Sequence, residues 1–304
     1  METMTRLETF CNLDYKCDPF KAAKKFETGD ISRVRRILTM AIESHAMVSI
    51  VGERGIGKSD AIEAALKKFK VRLIPVIRED QENLRAPEIK AAMISALSTE
   101  SVKRGGVVSS AQLRRIVGEA TSDPKQQVVV MIEEAQRLHP NTLRSLKTLR
   151  EIEWLGQKEL FTIILVAQSD PMNRAGVSEV ALRSDCIRMK GLSADESAEY
   201  VRATIGKHFE DTAIDALADL PQARNYLELQ ALCVTILNHA LADGRELVKV
   251  ADVTAAAGEQ TAEALQPRTP RKQLAAPVSG KAALAGVLAR RQGDLPEVKG
   301  AINA

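Results

Sequence analysis

The stretch Gly52-Glu53-Arg54-Gly55-Ile56-Gly57-Lys58-Ser59 fits the pattern G-x-x-x-x-G-K-[ST], and that pattern constrains the chain on both sides of it. Its glycines let backbone N–H groups close around a phosphate. The lysine reaches the β and γ oxygens, and the hydroxyl holds Mg²⁺. The geometry works only where a strand leads in and a helix leads out. Met47-Val48-Ser49-Ile50-Val51 is a short apolar run that reads as a buried strand, and Asp60 to Phe69 has helical spacing without Pro or Gly. A chance match of this length arises in roughly one chain in a hundred of ordinary composition, and the two flanks lower that further. The alternative is an accidental Gly-rich turn.

Composition narrows the class. With 45% hydrophobic and 27% charged residues the chain reads as a soluble globular protein. Aromatics are only 3%, which argues against nucleic-acid binding by ranks of stacked rings. The net charge is +3, but Ala264–Ala304 alone carries seven basic and two acidic residues, so the rest is slightly acidic. Cysteines 11, 17, 186 and 233 show no C-x-x-C spacing, which points to free thiols in a reducing cytoplasm rather than a metal site. The first fifteen residues lack the apolar core of a signal peptide, and no apolar run is long enough for a membrane span.

Residues 1–30 read as a lead-in that packs against the core. A helix is expected over Ile31–Ser44 with Asp30 as its N-cap. Val71–Ile77 reads as a strand that Pro75 confines to a sheet edge. Helices are expected over Pro87–Leu97 and Ser109–Ala120. Val128-Val129-Val130-Met131-Ile132 and Phe161–Ala167 read as strands buried on both faces. A helix over Asn141–Glu153 lies between them, and a short strand near Cys186–Met189 completes the set. Alternation of strands with helices predicts an α/β fold, a parallel five-stranded sheet with helices on both faces, over 31–191. Beyond Gly191 the pattern is helical only. Ser193 to Glu196 forms a capping box, and further helices are expected over Asp211–Leu220, Ala223–Asp243 and Lys249–Leu265. This gives a small all-helical domain over 192–265. Residues 266–304 read as a flexible basic tail, with one short helix over Lys281–Arg291.

A phosphate loop that hydrolyses a nucleotide needs a positioned cation and an activated water. Glu133-Glu134 ends a strand expected beside the one that feeds the loop. Glu133 is assigned to the Mg²⁺ shell through water, and Glu134 to the general base. The competing reading has two acids opening a solvated helix. Gln168 ends the next buried strand and can bond the γ-phosphate or the water; otherwise it is a turn residue before Asp170-Pro171. Arg183 and Arg188 flank the last strand, where an arginine can serve a neighbouring subunit's nucleotide as a finger. Arg224 opens the long helix of the second domain and can reach back to the γ-phosphate. For each arginine a solvated or locally paired cation is the other reading. The four histidines sit in no nucleophile motif.

The motif order resembles that of the AAA+ ATPases. Within them it is most similar to the transposition ATPases, a family that includes the phage Mu target-choice protein MuB and the transposon proteins TnsC and TniB. Glu133-Glu134-Ala135-Gln136-Arg137-Leu138 matches their acid-Glu-Ala-x-Arg-Leu run, and Phe26-Glu27-Thr28 with Arg33-Val34 resembles their leading segment. The resemblance spans residues 18–262. It implies an ATP- and Mg²⁺-dependent ATPase that forms rings or helical filaments on double-stranded DNA and brings a DDE transposase or integrase to its target. The transposase in turn stimulates hydrolysis. It also implies a nucleotide shared between subunits, with Arg183 as the finger. Lys103 and Arg104 lie where such relatives contact the DNA backbone, a sequence-tolerant and salt-sensitive kind of contact. No membrane is expected, and the bacterial cytoplasm is the expected location. Two departures stand out: Glu133 replaces the usual Asp, and only about 30 residues precede the core, where phage Mu's protein has a helix-turn-helix domain. Secretion ATPases of the ExeA type and helicase or initiator loaders share the same core and remain alternatives.

Overall fold

The computed structural model describes residues 4–22, 26–76, 84–123 and 125–265, with side chains to residue 258. Two short helices open the chain, α1 (Arg6–Asn12) and α2 (Pro19–Ala22), followed by α3 (Gly29–Glu43). Strands and helices then alternate through β1 (Met47–Val51), α4 (Lys58–Leu66), β2 (Lys70–Val76), α5 (Ala86–Leu97), α6 (Gly106–Ala120), β3 (Gln126–Ile132), α7 (Pro140–Arg150), β4 (Thr162–Ala167), α8 (Ser178–Ala181) and β5 (Ser184–Arg188). The helical remainder comprises α9 (Ala194–Ile205), α10 (Asp211–Ala218), α11 (Tyr226–Ala242) and α12 (Val250–Leu265). Met1–Glu259 form one compact unit; of the second, Gln260–Ala304, only the end of α12 is described. The basic tail and its expected short helix lie outside the described residues, as does Ile77.

The strands of the five-stranded sheet all pair in parallel, in the order β2-β3-β4-β1-β5. Strand side chains alternate between faces, so each buried strand feeds two cores. Met47 and Val51 of β1, Val128, Val130 and Ile132 of β3, and Ile163 and Leu165 of β4 share one core with α5, α6 and α7. Val48, Ile50, Val129, Ile164 and Val166 face the other way, against α3 and α4. The apolar β-branched runs are the sequence form of strands covered on both sides. Pro75 falls on β2 at the edge of the sheet, as expected.

Several expectations are corrected. The strand ending in the two acids is not beside β1, because β4 lies between them. Thr28, not Asp30, caps α3: its side chain accepts from the N–H of Ile31. Asp30 sits in the first turn, its carboxylate pairing with Arg33 at 3.2 Å and accepting from the N–H groups of Lys190 and Gly191. The lead-in packs on the helical part rather than on the sheet, with Phe10, Leu13 and Phe20 in one apolar cluster with Tyr200, Leu229 and Cys233. Helix α7 stops at Arg150, and Arg224 ends a 3-10 turn (Pro221–Arg224) rather than opening α11. The expected capping box at Ser193 and Glu196 is present.

Candidate nucleotide site

In a parallel sheet all carboxyl ends lie along one edge, where ligands of open α/β sheets bind. Val51 pairs with Ala167 and Ile132 with Leu165, so β1, β4 and β3 stop nearly level. The segments leaving that edge are Gly52–Ser59, Gln168 and Glu133-Glu134. The N–H of Gly52 still donates to the Ala167 carbonyl at 3.1 Å, which fastens the start of the loop to β4.

Gly55 and Gly57 take φ of +87° and +91°, a region that side chains disfavour. Gly57 then opens α4, so the positive end of that helix points along the loop. Lys58 folds back across it, its Nζ donating to the carbonyls of Gly52 at 2.6 Å and Glu53 at 2.7 Å. Burial lowers the pKa of the Lys58 ammonium, opposed by the charges of Glu134 and Glu53.

Glu134 occupies the left-handed region, with φ 50° and ψ 36°, a conformation that costs a non-glycine residue of order 1 kcal/mol or more. The following 3-10 turn, Ala135–Arg137, replaces the solvated helix of the competing sequence reading. Two amides meet the carboxylate. Gln136 Nε2 donates to Glu134 Oε2 at 2.7 Å and Gln168 Nε2 to the same oxygen at 3.3 Å. The backbone N–H of Gln168 donates to Gln136 Oε1 at 3.1 Å. The two strand ends are thereby tied through side chains.

A cleft of about 650 Å³ opens over the loop. Lys58, Ser59, Glu133 and Glu134 line its polar part. Phe26, Ile31, Tyr200 and Tyr226 line an apolar part, chemically suited to a flat aromatic base. Among the described residues no group of three or more His, Cys, Asp or Glu side chains could hold a metal alone. One hydroxyl and one or two carboxylates beside a phosphate-binding loop suit Mg²⁺, which takes most of its remaining ligands from phosphate and water.

The predicted basic residues are spread over the molecule. Arg183 precedes Ser184, whose partner in the sheet is Met47 at the amino end of β1. Four residue steps at about 3.3 Å, or about 13 Å of strand, separate that end from the loop. There Arg183 pairs with Glu151 at 3.2 Å. Arg188 is at the loop end of β5, bonded to Asp170 at 2.9 Å. Arg224 has an exposed side chain, and its carbonyl accepts from the N–H of Leu192 at 2.9 Å. Lys103 and Arg104 are exposed in the loop before α6, held by a bond from the Lys103 N–H to Gln112 Oε1 at 3.0 Å.

Asn225, Gln136 and Asp30 carry geometry that the sequence reading missed. Asn225 caps α11 and also bonds the Arg54 carbonyl at 2.7 Å. A polar residue ahead of an apolar helix signals a cap, but nothing local signals the second bond.

Residues 41–173 match the family model described as an AAA domain. No curated protein sequence matches the chain. Among solved structures it is similar to Cdc6p from Pyrobaculum aerophilum, with TM-score 0.53 and 15% identity over 78% of this chain and 68% of that one. It is similar to the Aeropyrum pernix ORC1 protein in complex with DNA, with TM-score 0.52 and 13% identity over 90% and 75%. Drosophila ORC bound to DNA gives TM-score 0.56 and 12% identity over 85% and 67%. At such identities the likeness is one of fold: an α/β AAA+ P-loop fold with a five-stranded parallel sheet and a helical C-terminal region.

Proposed function

We propose that the chain is an ATP-dependent DNA-binding ATPase that assembles on double-stranded DNA with little sequence preference and regulates transposition by selecting targets and recruiting a DDE transposase. The observation carrying the ATPase reading is the convergence of Lys58, Ser59, Glu133 and Glu134 on one cleft. Ser59 and Glu133 would hold Mg²⁺, which when bound neutralises charge on the β and γ oxygens. Lys58 binds the same oxygens as a point charge. Glu134 accepts the proton of the attacking water; with two amides on Oε2, its Oε1 is the oxygen left for that role. Gln168 orients Glu134 through its amide and would bond the γ-phosphate or the attacking water. Phe26, Tyr200 and Tyr226 would enclose the base.

Arg183 lies at the opposite end of the sheet from its own loop, so a finger role would belong to a neighbouring copy, which makes self-assembly part of the proposal. The DNA part is supported by the exposed Lys103 and Arg104, by the Glu133-to-Leu138 run, and by the fold shared with proteins solved on DNA. Filter binding of random-sequence duplex tests it: retention should be strong with ATP and weak with ADP. Substituting both Lys103 and Arg104 by Ala should weaken retention evenly across sequences and flatten the salt dependence by about two phosphate contacts. Equal weak retention under both nucleotides sinks the proposal. Co-purification with a transposase rather than with replication proteins separates the reading from a helicase or initiator loader.

A further inference from the structure

The helical region is hydrogen-bonded to the phosphate loop by the side chain of Asn225. Asn225 is only 6% exposed, and its amide is used at both ends. Oδ1 accepts from the N–H of Leu227 at 3.0 Å, which caps α11. Nδ2 donates to the carbonyl of Arg54 at 2.7 Å, 171 residues earlier in the chain. The two elements are in direct contact here. A Cβ on Gly55 would lie 2.5 Å from Asn225 Oδ1 and 2.7 Å from Leu227 Cγ. On its other side the segment is held by Leu192, whose N–H donates to the Arg224 carbonyl at 2.9 Å. A Cβ on Gly191 would run into that same carbonyl.

We infer that Asn225 is a positioning residue that sets the phosphate loop from the helical region. Peptide units are planar, so fixing the Arg54 carbonyl on one edge fixes the direction of the Gly55 N–H on the opposite edge. N–H groups of this loop are the donors that would meet a phosphate. The placement of α11 is thereby read out as the orientation of one phosphate-binding donor. The inference rests on reading the cleft as a nucleotide site.

Capping and positioning can be separated by substitution. Asn225→Ala removes both bonds. Asn225→Ser keeps a good N-cap but is too short to reach the Arg54 carbonyl as well. Asn225→Asp keeps the cap and the shape but offers only acceptors to that carbonyl. Full-length protein is titrated with a fluorescent methylanthraniloyl derivative of ATP in Mg²⁺, and melting is measured without nucleotide. The Ser variant should recover most of the melting temperature lost in the Ala variant while its nucleotide affinity stays about tenfold weaker than wild type. The Asp variant should weaken affinity at least as much, and it supplies the same comparison if the Ser variant does not fold. Recovery of affinity together with stability in either variant overturns the positioning role and leaves only a cap. Absence of binding by the wild type overturns the nucleotide reading itself, and this inference with it.

Discussion

Lys58 and Glu134 occupy one cleft but do different work in the proposed reaction. Lys58→Ala removes the charge that meets the phosphates, so binding of labelled ATP should fall by about a hundredfold or more. Glu134→Gln keeps the shape and removes the base. It should bind ATP as wild type does and turn over about 10² to 10⁴ times more slowly. Turnover within about threefold of wild type removes Glu134 from the role. The pairing of Glu134 with Gln168 was partly legible, because each ends an apolar run that reads as a strand in a parallel sheet. Gln136 was not. Its side chain reaches Glu134 only because the chain makes a left-handed step at Glu134, φ 50°, and then a 3-10 turn, a step that no glycine announces.

Elements are fixed to one another by contacts that local pattern does not show. Between α7 and β4 the chain makes a tight turn in which Trp154 and Gln157 exchange two backbone bonds of 2.9 Å. Leu155 and Gly156 take positive φ there. Trp154 lies flat against Gly118 of α6, where any Cβ would overlap its ring. Gly118→Ala should therefore destabilise by about 1–3 kcal/mol in chemical denaturation. In a Trp154→Ala background the same change should stabilise slightly, since Ala is the better helix former. Destabilisation of equal size in both backgrounds refutes the contact. Helix α12 is anchored by a second device. Arg245 donates two bonds of 2.8 Å to Asp252, and the Lys249 N–H adds a third at 2.8 Å. The bonds from Arg245 hold the Asp252 carboxyl below its ordinary pKa. A carboxylate lowered in the folded state contributes stability that is complete above its unfolded value, near ~3.9, and is lost as pH falls through the folded value below it. Asp252→Asn should cost about 1.5–3 kcal/mol at neutral pH and flatten the acid limb of the stability curve. An unchanged acid limb counts against the pair.

For the whole molecule, the main consequence of the strand order is that the loop and Arg183 lie at opposite ends of the sheet. A parallel sheet presents its carboxyl ends on one edge and its amino ends on the other, so one copy cannot bring both to a single nucleotide. Glu134→Gln supplies an intact Arg183 with a dead cleft, and Arg183→Ala supplies the reverse. Each should be nearly inactive alone. An equal mixture should regain hydrolysis at about one interface in four if copies join at random head to tail. No recovery on mixing, with both variants shown to assemble, removes Arg183 from the shared site. Within one copy, the helical region and the N-terminal helices share a single apolar cluster. Sequence order placed those N-terminal residues with the sheet they precede. The rings of Phe10, Phe20 and Tyr200 instead bury one another, with centroids about 5.8–5.9 Å apart along that chain of contacts.

What the sequence alone determined is local or periodic. The phosphate loop requires its glycines and flanking elements within a few residues. The β-branched runs state that a strand is covered on both faces, Pro75 marks the edge, and the capping box marks where the helical part begins. What tertiary structure decided is every relation that depends on which strand lies next to which. It inserted β4 between β1 and the strand bearing Glu133-Glu134, and sent the carboxylate of Asp30 to the N–H groups of the segment after β5 rather than to those of its own helix. It also brought Asn225 onto the loop that ends at Ser59. Hydrogen bonds act over about 3 Å whatever the separation along the chain, so only the folded arrangement can show that the phosphate loop is held from 171 residues away.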